Sequence, residues 1–510
     1  MSAAPRLLAE VVAPWIAAPA GLEVSDVTLD SRAATPGALF LACGGRTHHG
    51  LAFAPEAVAR GARAVLYEPQ GSPADVQLGA GTFIAALPGL AAHVGLIADR
   101  FFGSPSQQLT IAGITGTNGK TTCAWLLAQA LQRCQRPAAY MGTLGVGMPP
   151  QLAASAHTTA DAVTVHRQLA QLRAEGAECV GMEVSSHALD QQRVNGVRFR
   201  SAVFTNLTRD HLDYHGTMEA YGAAKARLFA FPNLAERIVN VDDPFGAELA
   251  RTAARAPSAA GAAARASARL IVTTRNAAAV PAGAQFVRAT RVRVESEGLS
   301  VEVDSSFGSA ELALRLVGEF NVDNALTVLA VLLAWEVPLQ QAAQALSRAR
   351  AASGRMEMFG GRSRSPLAIV DYAHTPDALA NALRAARLHC RGQLRVVFGC
   401  GGDRDPGKRP LMGAVAAGLA DDIILTDDNP RSEDPRRIVA EILGGIPAGA
   451  PLTIEHDRAL AIRVALERSA PDDVVLIAGK GHEGYQIRGG ERRPFRDQAV
   501  VGEELARRLA

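Results

Sequence analysis

Residues 109–132 read "LTIAGITGTNGKTTCAWLLAQALQ". An apolar run meets glycines at 113, 116 and 119, and a segment with apolar residues at helical spacing follows. Strand, glycine turn and helix in that order make a phosphate-binding loop. Small residues let successive backbone N–H groups wrap an anion, and the helix N-terminus adds its dipole. The strict Walker pattern wants glycine at position 114, where Ile114 stands, but the physics survives that departure. Lys120 can reach terminal phosphates and Thr121 can ligate Mg2+. Gly113, Thr115, Gly116, Thr117, Asn118, Gly119, Lys120, Thr121 and Thr122 are therefore the expected phosphate contacts. No Asn-Lys-x-Asp occurs to read guanine, so ATP is the expected nucleotide.

The rhythm on either side of this loop sets the architecture. Residues 22–105 alternate short apolar runs ("GALFLAC", "ARAVLYE") with helical stretches such as "APEAVARGA". From the loop to about residue 345 the order is strand, turn, helix, strand, which predicts a parallel sheet covered on both faces. After "GRMEMF", strands in "LAIVDYAHTPDAL", "LRVVFGCGGDRDPGKRP", "DDIILTDDNPR" and "DDVVLIAGKGHEGYQ" each end in a charged or glycine-rich loop. Ligands of open α/β sheets bind beyond the carboxyl ends of the strands, where these loops gather. The expected fold is α/β in three domains. A small α/β domain occupies 1–106, a central P-loop parallel-sheet domain 107–345 and a Rossmann-like domain 346–510, in keeping with the 510-residue length. The Ala-rich segment at 250–270 reads as variable surface.

Charge excludes some functions. Lys plus Arg number 52 against 50 Asp plus Glu, so no chain-wide attraction to nucleic acid or anionic membrane is expected, and an acidic ligand must be caught locally. The six cysteines show no CxxC pair or metal spacing, as expected for reduced thiols. The opening "MSAAPRLLAEVVAPW" is interrupted by Glu10 and prolines, which predicts a helix leading into a strand rather than a secretory signal. No uninterrupted apolar stretch is long enough to span a bilayer, so a cytoplasmic protein is expected.

Two further strands end in chemistry. "GMEVSSHALDQQRV" puts Glu183 at a strand end, and "VFTNLTRDHLDYHG" puts His211 after another, so a carboxylate and an imidazole could complete a divalent-metal site near the phosphates. Lys225 in "AYGAAKARLF" sits among small and apolar residues, where a lone lysine would ordinarily snorkel to water. In "IILTDDNPRSEDP" a buried strand breaks into opposite charges, which serve either to cap a loop or to hold a ligand bearing both charges.

In this order "TGTNGKTT", "MEVSSHAL", "TNLTRDHLDYHG", "GEFNVDNAL", "GRMEMF", "VDYAHTPDAL", "GCGGDRDPGKRP", "DDNPR" and "AGKGHEGYQ" resemble the Mur ligases over nearly the whole chain, in particular the branch that adds meso-2,6-diaminopimelate. The resemblance implies an enzyme that couples ATP to amide-bond formation on UDP-N-acetylmuramoyl-L-alanyl-D-glutamate through an acyl phosphate. It implies magnesium, an N-terminal UDP-binding domain, and a monomer whose C-terminal domain closes over ATP. By the same resemblance Lys120, Glu183, His211 and Lys225 are catalytic, Thr121, Glu183 and His211 ligate metal, and Lys225 is carbamylated, which makes a buried lysine a carboxylate-like ligand. Asn321 and Asn324 correspond to positions near the base, Arg355 to a phosphate contact and Asp371 to a ribose contact, with His374 beside it. Read alone, Asn321 serves equally as a helix cap.

For the UDP-muramoyl peptide the resemblance points to Leu29, Ser31, Arg46, Thr47, His48, His157, Thr158, Thr159, Ser185, Gln191 and Arg193. His157 departs from the family pattern, which has Asn there. For diaminopimelate it points to Arg404, Asp428, Asn429, Pro430, Arg431, Gly479 and Glu483. An Arg can take the carboxylate at the far end of that amino acid, and an Asp and an Asn the ammonium beside it, while Asp427 and Ser432 cap and solvate the loop. Three alternatives stand against this. Folylpolyglutamate synthetase would lack the N-terminal domain and "DDNPR", the lysine-adding ligase would lack the Arg-bearing motif, and a phosphate-loop switch would have no place for "TNLTRDHLDYHG".

Overall fold

The computed structural model describes residues 4–45, 47–73, 76–79, 81–255, 268–361 and 365–509. The chain divides into two compact units, residues 1–124 with 135–271, and residues 125–134 with 272–510.

In the first unit the strands Asp26–Thr28, Ala38–Ala42, Ala64–Tyr67 and Phe83–Ala86 pair in chain order, all parallel. The run "ALFLA" is buried at every position because both faces are covered. Leu39 and Leu41 pack with Leu90, Val94 and Ile97 of the helix Leu90–Phe101. Phe40 and Ala42 pack with Ala54 and Ala57 of the helix Ala54–Ala59. The expected N-terminal helix is Leu8–Val12, with a short strand, Glu23–Val24, after it.

The same unit holds the parallel stretch of a ten-stranded mixed sheet, in the spatial order Glu236–Asn240, Ser201–Phe204, Thr110–Thr115, Cys179–Glu183, Ala138–Gly142, whereas Gln285–Glu295, Gly298–Ser305 and Gly308–Leu314 pair antiparallel, unlike the parallel sheet expected over 107–345. Its register pairs Ile114 with Glu183 and Thr115 with Phe204, so three functional strands end level with one another. The phosphate loop leaves the central of the three. At that point Gly116 has φ +148°, and a Cβ there would stand 1.9 Å from Thr205 Oγ1, so only glycine fits.

In the second unit a six-stranded sheet runs Glu357–Gly360, Leu367–Asp371, Val474–Ala478, Leu394–Phe398, Asp422–Leu425, Leu452–Ile454, parallel except for its first strand. Helices Pro376–Arg387, Lys408–Leu419 and Pro435–Leu443 cover one face, through Leu383, Met412 and Ile442 against Ile369, Val396 and Leu476. Arg458–Glu467 and Asp497–Leu509 cover the other, through Ile462 and Val501 against Val370, Val397 and Ile477. Thr375, Asp434 and Asp457 cap three of these helices with their side chains, and proline follows the first two caps directly. This is the doubly wound sheet expected of the third domain.

All six cysteines are unbridged. Most of the Ala-rich segment, 256–267, lies outside the described residues, as does Arg46.

Candidate functional site

In the first unit the loop is fastened from several sides. Asn118 N donates to Asn206 Oδ1 at 2.9 Å, and Thr205 Oγ1 donates to the Asn118 carbonyl at 2.6 Å. Thr117 Oγ1 lies between the Thr208 carbonyl at 3.1 Å and the Tyr221 hydroxyl at 3.2 Å. Lys120 Nζ donates to the carbonyls of Gly116 and Thr117, both at 2.9 Å, which folds its ammonium back over the loop. Gly119 has φ +86° immediately before the helix Lys120–Arg133, and Thr122 lies in that helix's first turn, half-buried. Gly113 and Thr115 are buried in the strand itself.

Glu183 is 1 % exposed and collects donors. Thr121 Oγ1 donates to Oε2 at 2.9 Å and Thr143 N to Oε1 at 3.0 Å, while Thr143 Oγ1 lies 3.3 Å from Oε2 and the Tyr140 hydroxyl bonds Oε1. A carboxylate held this way beside a hydroxyl suits a hard cation, since both offer oxygen. Among the described residues no three His, Cys, Asp or Glu side chains gather as a protein-only cage. That donor set fits magnesium, which prefers one or two carboxylates completed by substrate phosphates and water.

Lys225 does not snorkel. It is 1 % exposed, its Nζ donates to the Gly116 carbonyl at 2.8 Å, and it lies 4.2 Å from the Tyr221 ring centroid. Burial, reinforced by the neighbouring charge of Lys120, pushes its ammonium down to about 6, so near neutral pH the amine is mostly uncharged. His211 is half-exposed in left-handed backbone (φ 51°), with its ring 6.1 Å from that of Tyr221 and 4.8 Å from that of His187. Lys225 and His211 thus flank one tyrosine.

The residues expected to hold the peptide substrate join this centre. Thr159 Oγ1 donates to the Glu183 carbonyl at 2.9 Å, Ser185 N donates to Thr159 Oγ1 at 3.2 Å, and Arg193 Nη1 donates to the Thr159 carbonyl at 3.0 Å. Arg193 also bonds Gln191 Oε1, and Thr158 shares a hydrogen bond with Thr143 at 3.0 Å. Ser185 Oγ caps the helix Ser186–Asp190. Further along the unit, Ser31 Oγ donates to Glu56 Oε2 at 2.7 Å and Leu29 is half-buried, while Thr47, His48 and His157 are exposed.

In the second unit the loop after Asp422–Leu425 is where the two readings of "DDNPR" separate. Asp427 does not solvate the loop as expected. It is 3 % exposed, its Oδ1 meets His456 Nδ1 at 2.7 Å and its Oδ2 pairs with Arg488, because a carboxylate at a buried strand end needs partners. Asn429 is likewise a strut. Its Oδ1 accepts from Lys480 Nζ at 3.1 Å and Ile487 N at 2.9 Å, and its Nδ2 donates to Glu483 Oε2 at 2.8 Å. Asn429 Oδ1 already accepts two bonds here, so freer acceptors for an ammonium come from its neighbour.

Asp428 supplies them. Its carboxylate takes no hydrogen bond among the described residues, and burial pushes it above the usual carboxylate range against the opposing charges of Arg458 and Lys480. Gly479 stands opposite, where a Cβ would lie 2.6 Å from Asp428 Oδ2. Arg431, in left-handed backbone (φ 56°) after Pro430, reaches the Gly402 carbonyl at 2.6 Å, and Arg404 borders the same Gly401–Gly402 turn. Arg431 and Arg404 at one turn, and on the same loop as Arg431 a buried carboxylate without a hydrogen-bond partner among the described residues, put both signs of charge on adjoining stretches of chain.

The nucleotide contacts expected in this unit are partly drawn together. Asp371 accepts from Met356 N at 2.8 Å and Ala373 N at 2.9 Å, and burial raises it against the nearby charge of Arg355. Arg355 lies over the Tyr372 ring, with its Nε buried and unpartnered among the described residues. His374 Nδ1 meets the Tyr372 carbonyl at 2.9 Å. Asn321 is not a cap. Its Nδ2 donates back to the Val317 carbonyl at 2.8 Å and its Oδ1 accepts from Asn324 at 2.9 Å, so both amides turn into the helix Phe320–Ala334.

Sequence reasoning missed Tyr140, Thr143 and Tyr221, which surround Glu183 and Lys225, and Lys480, which sits inside a motif already singled out. The only signal for the tyrosines was their place beside strand ends or glycines, which many core tyrosines share.

Comparison with known proteins now places this geometry. Residues 23–85 match the Mur ligase family catalytic domain, 114–332 the Mur ligase middle domain and 354–481 the Mur ligase glutamate ligase domain. A curated protein of Xanthomonas campestris pv. campestris (strain 8004) is 46% identical over 492 residues, 96% of each chain. One of Ectopseudomonas mendocina is 45% identical over 491 residues, again 96% of each. The chain belongs to the Mur ligase family. Within it, both of these relatives carry the name UDP-N-acetylmuramoyl-L-alanyl-D-glutamate--2,6-diaminopimelate ligase. So does a solved structure that is 34% identical, with TM-score 0.74 over 99% of this chain and 100% of that one.

Proposed function

We propose that the chain is an ATP-dependent amide-bond ligase that joins meso-2,6-diaminopimelate to UDP-N-acetylmuramoyl-L-alanyl-D-glutamate. It would act as a cytoplasmic monomer in peptidoglycan precursor synthesis, with domains at 1–106, 107–345 and 346–510. No helix among the described residues is long and apolar enough to cross a membrane, which suits soluble substrates. The observation that carries this reading is the Asp428 carboxylate, which takes no hydrogen bond among the described residues, on the same short loop as the Arg431 guanidinium. A zwitterionic far end of the incoming amino acid needs an anion and a cation side by side.

The chemistry runs in two displacements. The D-glutamate side-chain carboxylate attacks the γ-phosphorus of ATP, an O–P bond forms, and the bond to ADP breaks. The incoming amine then attacks the acyl carbon of the acyl phosphate, phosphate leaves with the C–O bonding pair, and the nitrogen gives up one proton to solvent or to the departing phosphate. The loop amides and Lys120 hold the phosphates in line for the first step. Thr121, Glu183, His211 and carbamylated Lys225 would hold magnesium beside the nucleotide, and the chemistry the ion would supply there is positive charge against the transferred phosphoryl group. Lys225 suits carbamylation because its uncharged amine can add to the carbon of CO2 and release a proton, leaving a carboxylate. Thr158, Thr159, Ser185, Gln191 and Arg193 would then hold the muramoyl peptide beside Glu183, with Leu29, Ser31, Arg46, Thr47 and His48 at its nucleotide end. Arg355, Asp371, Asn321 and Asn324 would contact the nucleotide, and Arg404, Asp428, Asn429, Pro430, Arg431, Gly479 and Glu483 the far end of diaminopimelate.

The test is phosphate release with UDP-muramoyl dipeptide, ATP, Mg2+ and each of several amino acids in turn. Turnover is expected with meso-diaminopimelate. Turnover with lysine instead would sink the substrate assignment.

A further inference from the structure

Lys480 is wholly buried between Gly479 (φ +113°) and Gly481 (φ +51°), and it is not among the groups expected to touch a substrate. Its Nζ donates to Glu483 Oε2 at 3.0 Å and Asn429 Oδ1 at 3.1 Å, and it lies 5.7 Å from the Tyr485 ring centroid. Glu483 Oε2 also accepts from Asn429, whereas Oε1 takes no hydrogen bond among the described residues. A buried cation normally costs several kcal/mol unless paired, so its retention here calls for an account.

The charges around it supply one. Arg458 and Asp497 form a fully buried bidentate pair at 2.7 and 2.8 Å and cancel each other. Asp428 and Glu483 then stand as two carboxylates against the Lys480 ammonium, with the Tyr372 phenol nearby, Arg355 over the Tyr372 ring and Arg492 over the Tyr485 ring. Without Lys480, Asp428 would lose one of the two positive charges that oppose its burial, and Glu483 would lose the partner that fixes its Oε2.

We propose that Lys480 is a positioning and specificity residue of the amino-acid pocket. It fixes Glu483 and Asn429 and cancels one of two acidic charges, so that the pocket accepts a single ammonium through Asp428 and Glu483 Oε1. This rests on the amino-acid-ligase reading above.

Steady-state kinetics of Lys480→Met and Lys480→Arg test it, with ADP binding followed as a check on folding. Lys480→Met is expected to raise KM for diaminopimelate about 30-fold or more, the scale of losing a buried charge partner, with KM for ATP and for the UDP-dipeptide nearly unchanged. The acid limb of kcat/KM for diaminopimelate should move to higher pH, because Asp428, already pushed up by burial, loses one of the positive charges that oppose that push. Lys480→Arg should recover part of both effects. An unmoved acid limb, or an equal rise in KM for all three substrates, would overturn the proposal. Wild-type enzyme that fails to use diaminopimelate at all would instead overturn the substrate assignment.

Discussion

Lys225 Nζ donates to the Gly116 carbonyl at 2.8 Å, which ties a buried amine to the loop expected to wrap the phosphates. A side chain so placed senses both the loop and whatever the loop binds. Its shift to about 6 has a defined sign. The unfolded chain protonates this lysine below its ordinary 10.5 and the folded chain only below about 6, so stability from this site falls as pH drops between those values. Lys225→Met should therefore unfold near neutral pH at a temperature no lower than wild type. The same variant, and Lys225→Ala, should lose most activity, and short carboxylic acids should restore some of it to Lys225→Ala. Full activity in Lys225→Ala would refute the metal-bridging role.

Glu183 gives the second test. Tyr140→Phe removes one donor from a buried carboxylate and leaves the others in place, a loss of about 1–3 kcal/mol at that contact. The Mg2+ concentration giving half-maximal ATP turnover should change severalfold, whereas Glu183→Gln should abolish turnover at any Mg2+ concentration tried.

Gly116→Ala drives a methyl group into Thr205 Oγ1, so nucleotide binding measured by calorimetry should be lost while the fold survives. Adding Thr205→Ala removes the nearest obstacle and should return a minor part of the affinity. It cannot return all of it, since Asn206 N and O also lie 3.1 Å from the same Cβ position.

Arg431→Gly is the cleaner probe of the loop that carries Asp428 and Arg431, because residue 431 has φ 56° and glycine adopts that backbone without strain. KM for diaminopimelate should rise about 30-fold or more while KM for ATP stays level, the scale expected for a lost charge-assisted pair. Unchanged requirements for both would return "DDNPR" to a capped loop.

Arg458→Met should lower stability by about 3–5 kcal/mol, because Asp497 is then left charged and buried. Chemical denaturation of Arg458→Met beside Arg458→Met/Asp497→Leu checks it, and the double variant should regain most of the loss.

Much of this was legible in sequence for a physical reason. The phosphate loop, Glu183 and "DDNPR" are runs of local chemistry at strand ends, and parallel sheets bring strand ends together whatever the intervening chain. Side-chain partnerships across distant segments were not legible. Asp427 read as a solvated cap because nothing near it in sequence announces His456 or Arg488. The bond that Lys480 makes to Asn429 joins residues 51 positions apart, which no local pattern announces. Asn321 suits a cap by residue type, yet the helix begins at Phe320, with Glu319 in the cap position, so Asn321 already lies inside its first turn.

The hairpin of Tyr485–Arg488 and Glu491–Pro494 is stitched to the loop before it. Arg431 N donates to the Ile487 carbonyl at 3.1 Å, Gly489 N returns a bond to Arg431 at 2.8 Å, and Gln486 holds the carbonyls of Asp427 and Asp428. Five residues of motif are thus only half of an inheritable cassette. Transplanting "DDNPR" alone into a relative that takes another amino acid would bring the letters without the splint, and a change of diet in this lineage has to rewrite both stretches together.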